Sequence, residues 1–228
     1  MKSEKVTDNR SAEPKRRYDD ACGTAHALEL IGDRWTLLVL RELMLGPRRF
    51  SQLRGDLPGI SANVLTQRLG ELEERGLARK VRLPPPASVQ VYEATPWGLE
   101  AEPIVQALGR WAARSPQHDP TLPISGVSIL LSFRTMLSAK RAKGIDARIG
   151  FCFGADEYVA RLKKGTIRVG KGPAGGADAV ITAAPALLAA VVYGGQPLDL
   201  IGIDGDRKLV ERFVTLFPLP SKVDAKGG

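Results

Sequence analysis

Asn63, Thr66 and Gln67 are the side chains of this chain best suited to recognition chemistry: three short hydrogen-bonding groups within five residues. An Asn or Gln carboxamide can bond an adenine bidentately, and a threonine methyl can touch that of a thymine. Groups suited to phosphate surround them: Arg48, Arg49 and Ser51 upstream, Ser61 and Arg68 in the same stretch, Lys80 and Arg82 downstream. Such contacts fix the register of a protein on a duplex but carry no sequence information. Catalysis has no comparable constellation. The two histidines, His26 and His118, are far apart, and CxxC, HExxH, P-loop and nucleophile-elbow patterns are absent. The run GKGPAGG at residues 170–176 lacks the closing Lys-Ser/Thr of a P-loop. No catalytic residue, metal ligand set or cofactor is expected.

The polar triplet needs a helix to present it. Leu65, Leu69 and Leu72 recur at i, i+4 and i+7 and share one side of a 3.6-residue helix. Asn63, Gln67, Gly70 and Glu74 fall opposite, with Thr66 on the flank. Pro58-Gly59 breaks the chain, Ser61 can cap the exposed amides, and Gly76 marks the stop. Taken alone, this is equally the solvated face of any amphipathic helix. The order of elements adds the second observation. Phe50, Leu53 and Leu57 upstream belong to a short helix separated from this one by a tight turn, the helix-turn-helix plan whose second helix enters the major groove. Residues 77–83 and 89–95 alternate around Pro84-Pro-Pro-Ala-Ser88, a hairpin with a stiff tip. Its alternation sets Lys80 and Arg82 on one face, Arg79 and Val81 on the other.

From Cys22 onward the chain carries a series of words over about residues 20–115: an amino-terminal Cys, GDRWTLLVLREL, GPRRFSQL, GIS-NVLTQRL-ELEERGL and TPWG. In that combination it resembles the HxlR family of bacterial winged-helix transcription regulators. Where the family's wing tip carries charge, this one has three prolines. The resemblance implies a homodimeric, sequence-specific regulator of double-stranded DNA. The helix from Thr95-Pro96 to about Arg114 would pair with its twin, and two recognition helices about 34 Å apart would read a two-fold operator. Some relatives sense oxidants or electrophiles through a cysteine at the place of Cys22. The residues themselves leave Cys22 open: a helix amino end favours its thiolate, Asp19 and Asp20 oppose it, and a packed small hydrophobe is the other reading.

The remaining elements follow from pattern. Cys22 opens a first helix with Ala25, Leu28 and Ile31 buried; Asp33 caps a second, to about Leu45, in which Trp35, Leu38, Val39 and Leu43 fill the centre. Ser115 to Pro123 is a linker by composition. Beyond it a helix over 127–141 precedes strands at 147–153, 157–162, 166–169 and 179–182, a helix over 185–193 and a closing helix over 206–217. The words DAVITAAPALLAAVVYGG and IDGDRKLVERFVTLFPLP resemble the sterol-carrier-protein-like domain fused behind some HxlR regulators. That resemblance implies an apolar tunnel and a hydrophobic small-molecule effector, with Phe133, Leu137, Phe151, Phe153, Tyr158, Leu188 and Tyr193 as its lining. Apolar residues at these periods are also what an ordinary core contains.

The expected fold class is α+β: a winged helix-turn-helix domain at 19–115, a linker at 116–123 and a small α/β sterol-carrier-protein-like domain at 124–220, between polar tails at 1–18 and 221–228. The net charge of +8 suits an anionic partner. It is not concentrated in the winged-helix half: residues 1–115 hold 18 Lys+Arg against 15 Asp+Glu, a net of +3, and residues 116–228 hold 15 against 10, a net of +5. No apolar run reaches the roughly 18 residues of a membrane span, and the start MKSEKVTDNR carries no export segment. A cytoplasmic protein with two free thiols is expected. The rival to a regulator is a lipid-binding or carrier protein that uses the winged helix mainly to dimerise.

Overall fold

The computed structural model describes residues 18–224; residues 1–17 of the expected amino-terminal tail and 225–228 of the carboxy-terminal one lie outside it. The chain divides into a unit ending at Asp33 and a unit beginning at Arg34. The first contains α1 (Gly23–Ile31), with Cys22 at its N-cap. Ala25 is buried as expected, but Leu28 is 50% exposed. Glu29 ties the turn before α1 to the helix, accepting from the backbone N–H of Tyr18 at 2.8 Å.

The second unit holds both the winged-helix part and the part expected beyond the 116–123 linker. Its first half runs α2 (Thr36–Leu43), α3 (Phe50–Asp56), α4 (Ala62–Glu74), β1 (Ala78–Arg82), β2 (Gln90–Ala94), α5 (Pro96–Leu99) and α6 (Glu102–Ala112). Val39, Leu40, Leu43, Leu53, Leu65, Leu69 and Leu72 are fully buried together, each contributing about 1.5–3 kcal/mol over an exposed position. Two expectations are corrected here. The second helix starts at Thr36 with Trp35, not Asp33, at its N-cap. Trp35 and Leu38 are half-buried, and Leu40 takes the central place. The long helix predicted from Thr95 to Arg114 is broken after Leu99. Pro103 is the cause: it has no N–H to give the carbonyl of Leu99, and its ring would collide with that carbonyl in a continuous helix.

The second half runs α7 (Gly126–Met136), β3 (Ala147–Phe153), β4 (Asp156–Lys163), β5 (Thr166–Lys171), β6 (Ala179–Thr182), α8 (Pro185–Gly194), a short 3-10 turn, β7 (Gly202–Gly205) and α9 (Arg207–Phe213). The strands form one sheet in the order β5-β4-β3-β6-β7, antiparallel except for β3 and β6. The sequence pattern missed β7, whose Gly202-Ile-Asp-Gly205 has one apolar residue, and placed the end of α7 too late. Leu137 leaves helical geometry there, at ψ 126°.

A buried cation joins the two halves. The backbone of Arg48 exchanges hydrogen bonds with Tyr92 of the hairpin, 2.9 and 2.8 Å, so Arg48 extends the wing by one bridge. Its side chain, with the residue only 4% exposed, forks to Asp56 at the end of α3 and to Asp156 at the start of β4, the latter at 2.6 Å; Tyr158 Oη accepts at 3.2 Å. Burial alone would disfavour the guanidinium charge, but Tyr158, Asp156 and Asp56 outweigh it and raise its pKa. Burial likewise pushes the Asp156 carboxyl up, and the hydrogen bond and charge of Arg48, with Lys171 behind them, reverse that and hold it below the usual range. Nearby, the fully buried Glu42 accepts from Ser125 Oγ, the N-cap of α7, at 2.9 Å. Desolvation raises Glu42's pKa despite Arg41 and Ser125.

Arg48→Met keeps most of the volume, strips the charge and leaves two carboxylates facing one another. Unfolding by urea at neutral pH should show a loss of about 3–5 kcal/mol. The acid limb should also change. Because Asp156 has a depressed folded pKa, its contribution is present above the usual aspartate range and is lost as pH falls through the folded value; in Arg48→Met that part of the acid-induced loss should disappear.

Candidate nucleic-acid interface

The exposed side of α4 is built from its two ends. Ser61 caps it, its hydroxyl accepting from Val64 N–H at 3.2 Å. At the other end Gly76, at φ 69°, lets the Gly76 and Leu77 amides bond back to Glu73 and Leu72 at 3.0 and 2.9 Å, the pairing of a Schellman stop. Between them Asn63, Thr66 and Gln67 are exposed while Leu65, Leu69 and Leu72 are buried. Thr66 Oγ1 donates to Ala62 O at 2.9 Å, so its hydroxyl hydrogen is engaged while its oxygen can still accept.

Glu71, which the sequence pattern did not single out, organises this face. Although buried, it accepts from Gln67 Nε2 at 3.2 Å and from Arg68 at 2.7 Å, with Arg75 at 3.6 Å. Gln67, exposed, is thereby held at the nitrogen end of its carboxamide. The same bond turns Arg68 inward, half-buried. Glu71 was legible: a carboxylate at i+4 from Gln67, i+3 from Arg68 and i−4 from Arg75 is the spacing of helix-surface pairs.

The cations sort by placement. Arg48, expected at the DNA backbone, is withdrawn from water by Asp56 and Asp156 and cannot contact phosphate from there. Its neighbour Arg49 is exposed at the N-cap of α3, with Ser51 and Arg54 exposed beside it. Arg54 was not singled out from sequence. On the hairpin, Arg79 is neutralised by Glu93 directly across the strand pair at 2.6 Å. Lys80 and Arg82 are exposed on the other face, Lys80 lying 6.0 Å from the Tyr92 ring centroid. Among the described residues no group of three or more His, Cys, Asp or Glu could hold a metal ion.

The base of the hairpin is fixed to α4 by the Thr95-Pro-Trp-Gly98 turn. Thr95 Oγ1 accepts from Gly98 N–H at 3.0 Å and donates to Gly76 O at 2.7 Å. A side chain at Gly98 would put its Cβ 2.0 Å from Leu77 O, so only glycine allows this approach.

The residues expected to line an effector tunnel divide differently. Phe133, Phe151, Tyr158 and Leu188 are fully buried. Phe133 stacks on Phe217 with centroids 4.4 Å apart and meets Phe213 edge-on at 5.3 Å, so these rings pack on one another. Leu137, Phe153 and Tyr193 are half-buried. Tyr193, hydrogen-bonded to Ser132 at 2.7 Å, borders an open groove with Val191, Val192, Val214, Phe217 and Leu219.

A family model described as HxlR-like helix-turn-helix matches residues 30–119. The chain is 36% identical over 98 residues to an uncharacterized HTH-type transcriptional regulator of a Synechocystis strain, sll1512, a match that covers 43% of this chain and 73% of that one. It is 41% identical over 92 residues to the uncharacterized HTH-type transcriptional regulator YkvN of Bacillus subtilis, covering 40% and 77%. With the HTH-type transcriptional regulator YodB of the same species it shares 34% identity over 86 residues, covering 38% and 77%.

Gly98→Ala tests how the hairpin is anchored. The added methyl has to push the Leu77 carbonyl away, and chemical denaturation should show a loss of about 1–3 kcal/mol. An unchanged midpoint would mean that the Leu77–Gly98 approach is not tight.

Proposed function

Because the chain belongs to the HxlR-like helix-turn-helix family, we propose that it is a homodimeric, sequence-specific DNA-binding transcriptional regulator. The observation that carries this is the two-sided character of α4: a buried leucine stripe and, opposite it, exposed Asn63, Thr66 and Gln67, followed by a hairpin with exposed Lys80 and Arg82. In this reading Asn63, Thr66 and Gln67 meet base edges in the major groove. Arg49, Ser51, Ser61, Lys80 and Arg82 hold the phosphates, and Arg68 supports the helix through Glu71.

The dimer is supported by α6. Ile104, Leu108 and Trp111 form one stripe at i, i+4 and i+7, and Trp111 is 73% exposed. The opposite side of α6 is tied to α7, by Arg134 to Glu102 at 2.9 Å and Arg110 to Thr135 O at 3.0 Å. An apolar stripe so exposed suits a partner surface, and a two-fold axis beside it would duplicate α4 for a palindromic operator.

Two controls belong to this reading. The first is a hydrophobic effector entering the Tyr193 groove of a sterol-carrier-protein-like domain; the five-stranded sheet and the apolar helix α8 support it. Such an effector acts only by binding one conformation more tightly than the other. The second is Cys22. Its thiol is exposed and held below its ordinary pKa by the backbone N–H groups of Thr24 and Ala25, although no cap hydrogen bond of regular geometry forms. Asp19 and Asp20 were expected to oppose the thiolate; the Asp20 carboxylate accepts from the Cys22 backbone N–H at 2.9 Å. Among the described residues no helix is long and apolar enough to cross a membrane. A cytoplasmic site of action follows from the DNA-binding reading. The second reading, a lipid-binding or carrier protein, has the Tyr193 groove as its observation.

Asn63→Ala with Gln67→Ala separates the two readings. Preference for a selected operator over random duplex at fixed salt should weaken by about 1–3 kcal/mol per lost base contact, with uptake of a fluorescent fatty acid unaltered; undiminished preference would sink the regulator reading. For Cys22, the pH midpoint of alkylation by iodoacetamide should lie below that of free cysteine, and Cys22→Ser should make DNA binding insensitive to mild oxidant. A midpoint at or above the free value removes Cys22 as a sensor.

A further inference from the structure

The outer face of the C-terminal sheet carries charge that its packing does not require. Strand register sets Arg148 of β3 opposite Arg161 of β4, and Arg161 opposite Arg168 of β5. Directly opposed residues share a face, so three exposed arginines stand in a row while Ile149, Ala160, Leu162 and Ile167 on either side of them point inward and are buried. Further along, Lys163 faces Thr166. Lys164 leads the two-residue turn with φ 51°, a left-handed position where Asn, Asp or Gly is usual. Like charges opposed across a strand pair destabilise it. Asp146 offsets part of this, 3.3 Å from Lys163 and 3.9 Å from Arg161, in pairs exposed enough to contribute little.

Arg161, Lys163, Lys164, Thr166 and Arg168 together line an open concavity of about 400 Å³. We propose that this concavity is a binding site for an anion bearing several phosphate groups, separate from the base-reading face of α4. The lining decides the class. Four cations on aliphatic stems suit an anion, the Thr166 hydroxyl already donating to Lys163 O at 2.8 Å, and guanidiniums bond phosphate oxygens in pairs where lysines add point charge. Extent decides the valence: the lining cations sit on two adjacent strands about 5 Å apart and run about 7 Å along β4 from Arg161 to Lys163, wider than a single carboxylate and suited to a run of phosphates. The phosphates can be those of a free polyphosphate or of a duplex backbone, and the experiment distinguishes them.

The full chain is titrated calorimetrically with inorganic triphosphate at about 0.15 M ionic strength, beside Arg161→Gln/Arg168→Gln. Saturable binding is expected, at least about tenfold weaker in the double variant, a loss of roughly 1.4 kcal/mol. The variant's thermal midpoint should hold or rise, because opposed like charges have been removed. In a second arm, affinity for a random-sequence duplex is followed against salt. A slope reduced by about 0.9 per lost contact assigns the phosphates to DNA; an unchanged slope with weakened triphosphate binding assigns them to a free polyphosphate. Asn63→Ala/Gln67→Ala should leave triphosphate binding untouched, so this site and the recognition reading fail or stand independently. If both triphosphate affinity and salt slope are the same in the native chain and the double variant, or if the midpoint falls and so makes the arginines structural, the proposal is overturned.

Discussion

Arg48 is a charge taken out of water, and the relation between the two halves of the larger unit depends on how that charge is satisfied. A buried guanidinium is tolerable only with its charge balanced and its hydrogen bonds largely met; both terminal nitrogens of Arg48 are bonded, while its buried Nε has no partner among the described residues. Here the balance is drawn from two places far apart in the chain: Asp56, eight residues on, and Asp156, 108 residues on. The backbone of the same residue is meanwhile bridged to Tyr92. One residue thus fixes the start of α3 against the wing and against the start of β4 in the C-terminal sheet. Replacing such a cluster by apolar residues could be as stable; what the ions add is register, because only one arrangement lets both carboxylates reach the fork. Gln52, in the first turn of α3, also reaches Asp156 at 3.4 Å, and Lys171 reaches it from β5 at 3.3 Å. Any displacement of β4 therefore acts on α3, the helix that precedes α4.

The same residue shows where sequence reading stops. Arg48 and Arg49 are adjacent and identical in type, and both looked suited to phosphate. What separates them is a partner more than a hundred residues away, which local pattern does not contain. Features set by spacing were legible: the leucine stripe of α4, its serine cap and glycine stop, and the hairpin all depend on residues within one turn or one strand pair. The break before α6 was legible in principle, since Pro103 forbids a continuous helix wherever the fold puts it. Periodicity marked Phe133 and Phe151 as apolar and inward but could not tell rings that enclose a space from rings that fill one. That distinction depends on Phe213 and Phe217 arriving from the far end of the sequence. The arginine row is of the same kind: Arg148, Arg161 and Arg168 are unremarkable in the chain and become neighbours only through register.

Two exposed helix faces, on α4 and α6, differ in a way that bears on what each is for. The outer face of α4 is polar, and its groups can exchange water for base edges at little net cost, because each hydrogen bond lost to solvent is regained. Under the proposed function, that is the economy of a surface used reversibly, with discrimination arising from unsatisfied groups at a wrong sequence. The outer face of α6 has no such exchange. Ile104, Leu108 and Trp111 gain only by leaving water, about 25 cal/mol for each Å² covered, and the gain is the same whatever DNA is present. A surface of that kind suits a partnership that persists through cycles of binding and release. If α6 holds the dimer constantly while α4 samples DNA, the spacing of the two recognition helices depends on the angle between α6 and the rest of its own half. That angle is set by the break at Pro103 and by the α7 contacts of Glu102 and Arg110. The C-terminal half then meets the winged-helix half through Arg48 at α3, through Ser125 at Glu42 of α2 and through α7 at α6. A ligand that shifted α7 relative to β4 would alter both the attachment of the reading helices and the distance between them.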